Sequence, residues 1–212
     1  MKYPWEQHLT EPLGKQSKEL IKAVGRTINT YSMIGSGDTV LLSASGGKDS
    51  LVLALALSLR KRWLPIDYTL KALLINWEEY PIPSDQIGEL SAYFRFLGYS
   101  FAVVTQKQEP ASFSGAFNCY LCARNRRRIL FDRCKEESIR LVALGHHLDD
   151  LVETSMINLA HRGTFTTMLP VQPFFDGELS IIRPMIQIPE EQIAELALAL
   201  QLPVVKPPCP YD

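Results

Sequence analysis

The chain has 212 residues, 46% of them hydrophobic, with 22 basic side chains against 23 acidic ones. That size supports one domain with a substantial core, and the near balance of charge excludes a whole-molecule field that would draw in nucleic acid, so any polyanion site has to be local. The N-terminal stretch MKYPWEQHLTEPLGKQ lacks the basic-then-apolar pattern of a signal peptide. The longest apolar run, Leu51 to Leu57, is far short of the ~20 residues that span a bilayer. A soluble, cytoplasmic protein with no membrane association is the expectation. Cys119, Cys122, Cys134 and Cys209 are too few and too unevenly spread to frame a small secreted fold, and fit a reducing compartment better.

In chain order, a polar opening leads into a helix from Ser17 to Ile34, with Leu20, Ile21, Val24, Ile28 and Tyr31 at helical spacing and Gly35-Ser36-Gly37 as its stop. Thr39 to Ala44 reads as a strand covered on both faces, followed by Ser45-Gly46-Gly47-Lys48-Asp49-Ser50 and a Leu/Ala-rich helix closing on Arg60, Lys61 and Arg62. A strand at Leu70 to Asn76 precedes a helix from Ser84 to Leu97, with Ser84 as N-cap and Gly98 just past its end. Then come a strand at Ser100 to Thr105, a polar loop, a helix from Tyr120 to Ser138 and a strand at Leu141 to Gly145. A helix from Asp149 to His161, a Thr-rich connection, a strand at Ser180 to Arg183 and a helix from Pro189 to Gln201 follow. This alternation predicts an α/β fold, a Rossmann-like parallel sheet with helices on both faces. One domain over 1–212 is expected, with a short helical segment over about 1–36 and a Cys-bearing tail over about 202–212. In such sheets ligands sit outside the carboxyl ends of the strands, which directs attention to loops 45–50, 76–83, 106–120 and 145–150.

The hexapeptide Ser45 to Ser50 has the parts of an anion site. Its glycines allow close backbone approach, the helix start offers unpaired N–H groups, and the hydroxyls and Lys48 add donors and charge. It lacks Walker A spacing, and Asp49 beside phosphates calls for Mg²⁺. Cys119 and Cys122 stand one turn apart at a helix start, where the dipole favours thiolate; Cys209 lies in Lys206-Pro-Pro-Cys-Pro, a stiff non-helical segment. Three thiolates suit an iron–sulfur cluster with one iron free of protein ligands or an incomplete zinc site, while Cys-x-x-Cys alone also suits a redox pair. Cys134, at i+4 from Leu130 on a helix face, reads as a buried, inert thiol. Gly145-His-His-Leu-Asp-Asp150 places two carboxylates at a second loop that ends a strand and opens a helix.

Ser45 to Ser50 resembles the pyrophosphate-binding loop of the PP-loop ATPases, relatives of the adenine nucleotide α-hydrolases. The hexapeptide, Cys-x-x-Cys with Arg124 and Arg126 to Arg128 after it, Gly-His-His-Leu-Asp-Asp-Leu-Val-Glu-Thr, Ile-Arg-Pro at 182–184 and the late cysteine together resemble the tRNA 2-thiocytidine synthetase family in order and spacing. The resemblance implies ATP and Mg²⁺ at Ser45, Gly46, Gly47, Lys48, Asp49 and Ser50, with Gly145 among the ATP-binding residues. It also implies a [4Fe-4S] cluster on Cys119, Cys122 and Cys209, and Asp49, Arg126 and Asp150 as groups that engage ATP and its metal. The activity implied is adenylation of a cytidine oxygen, C32 of tRNA, followed by sulfur transfer at the cluster. Asn76-Trp77 departs from the family, where an Asp is expected.

The partners expected are tRNA and a sulfur donor such as a cysteine desulfurase, with a homodimer as the assembly to test. At 100° per residue Arg124, Arg127 and Arg128 share a helix face, which predicts a basic strip for tRNA phosphates or a solvated face, with Arg126 turned toward ATP. Two alternatives stay open: a lysidine-synthetase-like enzyme that adenylates and then uses an amine, and an iron–sulfur or nucleotide-binding RNA module without turnover.

Overall fold

Strand side chains alternate between two faces, and the apolar residues of the central strands divide accordingly into two cores. Strand β1 (Thr39–Ala44) sends Val40, Leu42 and Ala44 to one core and Leu41 to the other; β2 (Thr69–Trp77) sends Leu70, Ala72 and Leu74 one way and Leu73, Ile75 and Trp77 the other. Both faces must therefore be covered. The computed structural model describes residues 2–63, 66–109, 118–206 and 209, which leaves Pro207, Pro208 and Pro210 of the stiff tail and residues 110–117 of the polar loop outside the described residues.

The larger core lies under α1 (Pro4–Thr10), α2 (Lys15–Thr30), α3 (Lys48–Trp63), α4 (Ser84–Phe96) and α7 (Glu190–Ala199). Ser50 through Ser58 of α3 are all buried, which is why its sequence shows no amphipathic stripe. The smaller core lies under α5 (Cys119–Glu136), which contributes Ile129, Leu130 and Cys134. Burial pushes the Cys134 thiol up to about 12, with Glu137 adding to it, so this sulfur is inert at neutral pH. Helix α6 (Leu148–Arg162) buries only Ser155.

With β3 (Ser100–Gln106), β4 (Leu141–Ala143), β5 (Val171–Phe174) and β6 (Leu179–Ile182), the sheet has six strands in the order β3-β2-β1-β4-β6-β5. All neighbours pair parallel except β5 with β6. The predicted Rossmann-like parallel sheet is present and β5 adds one antiparallel edge to it: β5 falls in what reads as a Thr-rich connection, and its Pro173 is a residue tolerated at a sheet edge. Ser84 is the first helical residue of α4 rather than its N-cap, which is Pro83. Gly98 ends that helix as expected, at φ +82°, with Tyr99 N bonded to Phe94 O at 2.9 Å and Gly98 N to Arg95 O at 3.0 Å. Among the described residues no helix is long and apolar enough to cross a membrane.

The chain runs outward from β1 through β2 to β3 and returns to β4 on the other side of β1. The β1/β4 boundary is thus a topological switch point, where the loops beyond the two strands diverge and leave a crevice. Those loops hold Ser45–Ser50 and Gly145–Asp150.

Candidate active site at the switch point

The first loop is folded by its own hydroxyls. Ser50 Oγ donates to Gly47 O at 2.9 Å and accepts from Ser45 N at 3.3 Å, and Ser45 Oγ accepts from Gly47 N at 3.2 Å. Gly46, at φ +82°, bonds through its carbonyl to Val205 N at 2.9 Å, which ties the loop to the segment leading to Cys209. Lys48, Asp49 and Ser50 begin α3, so their amides lack intrahelical acceptors, and the positive end of the helix faces the crevice.

Gly145 has a packing reason of its own. A Cβ there would meet the Asp49 carbonyl carbon at 3.1 Å and Ser50 N at 3.2 Å, so the second loop touches the backbone of the first. The carboxylates consequently converge on His147: Asp49 Oδ1 at 3.9 Å and Asp150 Oδ2 at 3.5 Å from Nε2, with Asp149 Oδ2 at 3.6 Å from Nδ1. Asp150 also accepts from His147 N at 2.8 Å, so it serves as a cap while facing the crevice. Asp149 instead caps α7, accepting from Glu190 N at 2.7 Å. Asp49 Oδ1 is sealed from solvent and takes no well-aligned hydrogen bond, although Lys48 Nζ passes at 3.1 Å. An under-satisfied carboxylate beside Asp150, where phosphates would lie, fits Mg²⁺, which takes one or two carboxylates plus phosphate oxygens.

Glu190, invisible as a site residue in the sequence, holds Lys48 Nζ at 2.7 Å. Burial works to lower the Lys48 pKa, but the hydrogen bonds that Lys48 donates to Glu190 and Asp49 outweigh it and leave it raised; Glu190 is held below the usual carboxylate range by the hydrogen bond it accepts from Lys48. Asn76 accepts from Ile82 N at 2.8 Å and shapes the loop after β2. Among the described residues the buried Trp77 Nε1 and Arg126 Nε have no hydrogen-bond partner, and the Arg126 guanidinium carbon lies 5.9 Å from the Trp77 ring centre.

These groups line one open cleft of about 970 Å³. Its lining includes Ser45, Gly47, Lys48, Asp49, Ser50, Gly145 and Asp150 together with Cys119, Cys122 and Cys209; Arg126, Arg127 and His146 also line it. Gln108 Nε2 donates to Cys122 Sγ at 3.1 Å. Three thiols on one cleft have the donor chemistry of a cluster with one open iron. They do not form a finished site: among the described residues no three His, Cys, Asp or Glu side chains are grouped closely enough to hold a metal. Arg127 joins Arg126 in the cleft instead of pairing with Arg128, whose guanidinium is bonded to Asn125 at 3.0 Å and faces Asp132 at 3.5 Å. The expected three-arginine strip is thus split, because Asn125 and Asp132 draw Arg128 along the helix.

Comparisons with known proteins agree with this geometry. The sequence family described as PP-loop domain matches residues 16–206. The tRNA-cytidine(32) 2-sulfurtransferase of Azoarcus sp. is 36% identical over 197 residues, 91% of this chain and 62% of that protein. Its namesake from Geobacter sulfurreducens is 34% identical over 202 residues, 91% of this chain and 76% of that protein. The chain thus spans less than two thirds of the Azoarcus relative. Among solved structures, the U34-tRNA thiolase NcsA from Methanococcus maripaludis, with its [4Fe-4S] cluster, matches at TM-score 0.73 and 27% identity over 97% of this chain and 71% of its own. The NH3-dependent NAD synthetase from Campylobacter jejuni, at TM-score 0.53 and 17% identity, covering 89% of this chain and 73% of its own, shares the fold.

Proposed function

The chain belongs to the PP-loop domain family, and on that premise we propose that it is an ATP-dependent tRNA sulfurtransferase that adenylates a cytidine oxygen and replaces it with sulfur. The observation that carries this reading is that one cleft is lined both by the glycine loop with Asp150 and by Cys119, Cys122 and Cys209. A nucleotide-only enzyme has no use for three thiols beside its phosphate loop, and the relatives named for tRNA thiolation support the same substrate class.

In this reading the loop amides and Lys48 hold the β and γ phosphates, and Lys48 exchanges Glu190 for phosphate. Asp49 and Asp150 are the residues that would hold Mg²⁺, which would offset phosphate charge, while Arg126 offsets charge as pyrophosphate departs. The cytidine oxygen attacks the α-phosphorus, the bond to pyrophosphate breaks, and a poor leaving group becomes a phosphate ester. Sulfur then adds at C2 and AMP leaves with the former oxygen. Cys119, Cys122 and Cys209 are the residues that would hold a [4Fe-4S] cluster, which would supply an iron free of protein ligands to bind sulfur.

The sulfur comes from a donor such as a cysteine desulfurase, and the compartment is the cytoplasm, where tRNA and reduced thiols coexist. The homodimer is assigned to α6, which exposes Val152, Met156, Ile157 and Leu159. An antiparallel second copy would bury that face and set Asp149, near the helix start, against His161 and Arg162 at its end. Sedimentation should show a dimer that Ile157→Glu converts to monomer; a parent monomer at micromolar concentration would remove the assignment.

The adenylating step is tested by pyrophosphate release. With ATP and unmodified tRNA the parent should release pyrophosphate only when tRNA is present, and Gly47→Val should lose ATP affinity by at least about tenfold because a side chain intrudes where backbone must approach phosphate. Unchanged ATP affinity in that variant would contradict the placement of the phosphates.

A further inference from the structure

Arg183 follows β6 and is only 4% exposed, yet among the described residues no carboxylate neutralises it. Its donors go to neutral acceptors: Nη1 to Leu169 O at 2.6 Å, Nη2 to Gln172 Oε1 at 3.1 Å, and Nε to His146 Nδ1 at 3.2 Å. Burial lowers its pKa to about 10, with the charge of Arg127 adding to it, and this still leaves the guanidinium charged at neutral pH. A guanidinium only donates, so the nitrogen it meets must be unprotonated. The neutral imidazole of His146 is therefore fixed with its proton on Nε2. Among the described residues that nitrogen has no hydrogen-bond partner, and His146 lines the cleft that holds the phosphate loop and the cysteines.

The groups facing His146 keep this state in place across neutral pH. Burial lowers its pKa first, then Arg183, His147 and Arg127 lower it further, with Asp150 alone opposing. The ring is held as a neutral donor, and neither accepts a proton readily nor turns over.

We infer that His146 reads the substrate base, donating Nε2–H to the ring nitrogen beside the carbon that receives sulfur, with Arg183 as the positioning residue that fixes the tautomer. This rests on the sulfurtransferase reading above. Cytosine presents an unprotonated N3 next to C2, whereas uracil presents N3–H, so a donor that cannot invert its polarity accepts the first and repels the second. The same bond strengthens as sulfur adds to C2, because electron density moves onto N3. A site built to satisfy a polar group discriminates far more strongly than one that only fits shape, since the wrong partner leaves two donors facing each other.

Two measurements test the inference. Nitrogen-15 NMR of the histidine-labelled protein should show His146 protonated at Nε2 and unprotonated at Nδ1, with that pattern lost in Arg183→Met. Thiolation of matched tRNAs with cytidine or uridine at the target position should favour cytidine in the parent, and the ratio of kcat/KM values should fall at least about tenfold in His146→Gln, whose amide can rotate to accept, and in Arg183→Met. If Arg183→Met fails to fold, His146→Gln, at a position open to the cleft, decides alone. A parent ring protonated at Nδ1, or an unchanged cytidine preference in His146→Gln, would overturn the inference while leaving the enzyme a sulfurtransferase. A parent that thiolates neither tRNA removes the parent reading and the inference with it.

Discussion

At position 145 a side chain has nowhere to go, because the nearest atoms are the Asp49 carbonyl carbon and Ser50 N at 3.1 and 3.2 Å, neither of which can move without shifting α3. Gly145→Ala is therefore expected to destabilise the protein by about 1–3 kcal/mol and to weaken ATP binding, since the displaced backbone is the phosphate loop. Urea unfolding together with ATP titration checks this, and equal stability would show that the two loops have slack. The hexapeptide and the His-His-Leu-Asp-Asp loop were legible as strand-to-helix loops because each is written in adjacent residues. The partners of Lys48 and His146 were not, since Glu190 and Arg183 come from distant parts of the chain and meet them only after folding. Nor could spacing say that Arg127 enters the cleft while Arg128 lies along the helix, as that choice depends on Asn125 and Asp132.

Between elements, the Lys48–Glu190 pair joins the start of α3 to the start of α7, and Asp149 joins α6 to the same point. Both members of the pair are partly exposed, so its contribution stays below about 1 kcal/mol. Glu190 has a depressed pKa in the folded state; its share of stability is present above the unfolded carboxylate value and is lost as pH falls through the folded one. The Lys48 share is lost only as pH rises through its own raised value. Glu190→Gln should thus be slightly less stable than the parent at pH 7, with the difference shrinking as the pH falls below the usual carboxylate range, in paired denaturation curves. It should also bind ATP up to about fivefold more tightly, because Lys48 no longer has to leave a carboxylate. Weaker ATP binding in this variant would mean that Glu190 positions Lys48 instead of competing for it. The long elements were readable from periodicity and glycine stops. By contrast, α1 owes its place to Trp5, fully buried against Tyr93 and Phe96, and β5 exists by pairing with β6, so neither carries a strong local signal.

For the whole molecule, the strand order places a phosphate loop and a carboxylate loop at one crevice, and the Cys-bearing segments border the same space. The proposed cluster site is the part least prepared: Cys119, Cys122 and Cys209 share a cleft, but among the described residues they form no finished metal site, as expected where metal binding itself completes local folding. The account stands on the joining of adenylation to sulfur transfer within this cleft. Its most direct test is nucleoside mass spectrometry of unmodified tRNA incubated anaerobically with the cluster-reconstituted protein, Mg²⁺, ATP and sulfide. The account predicts 2-thiocytidine that requires ATP and is absent with Cys209→Ala or Asp150→Asn; tRNA recovered without any thionucleoside, from protein shown to carry its cluster and to bind ATP, would contradict it.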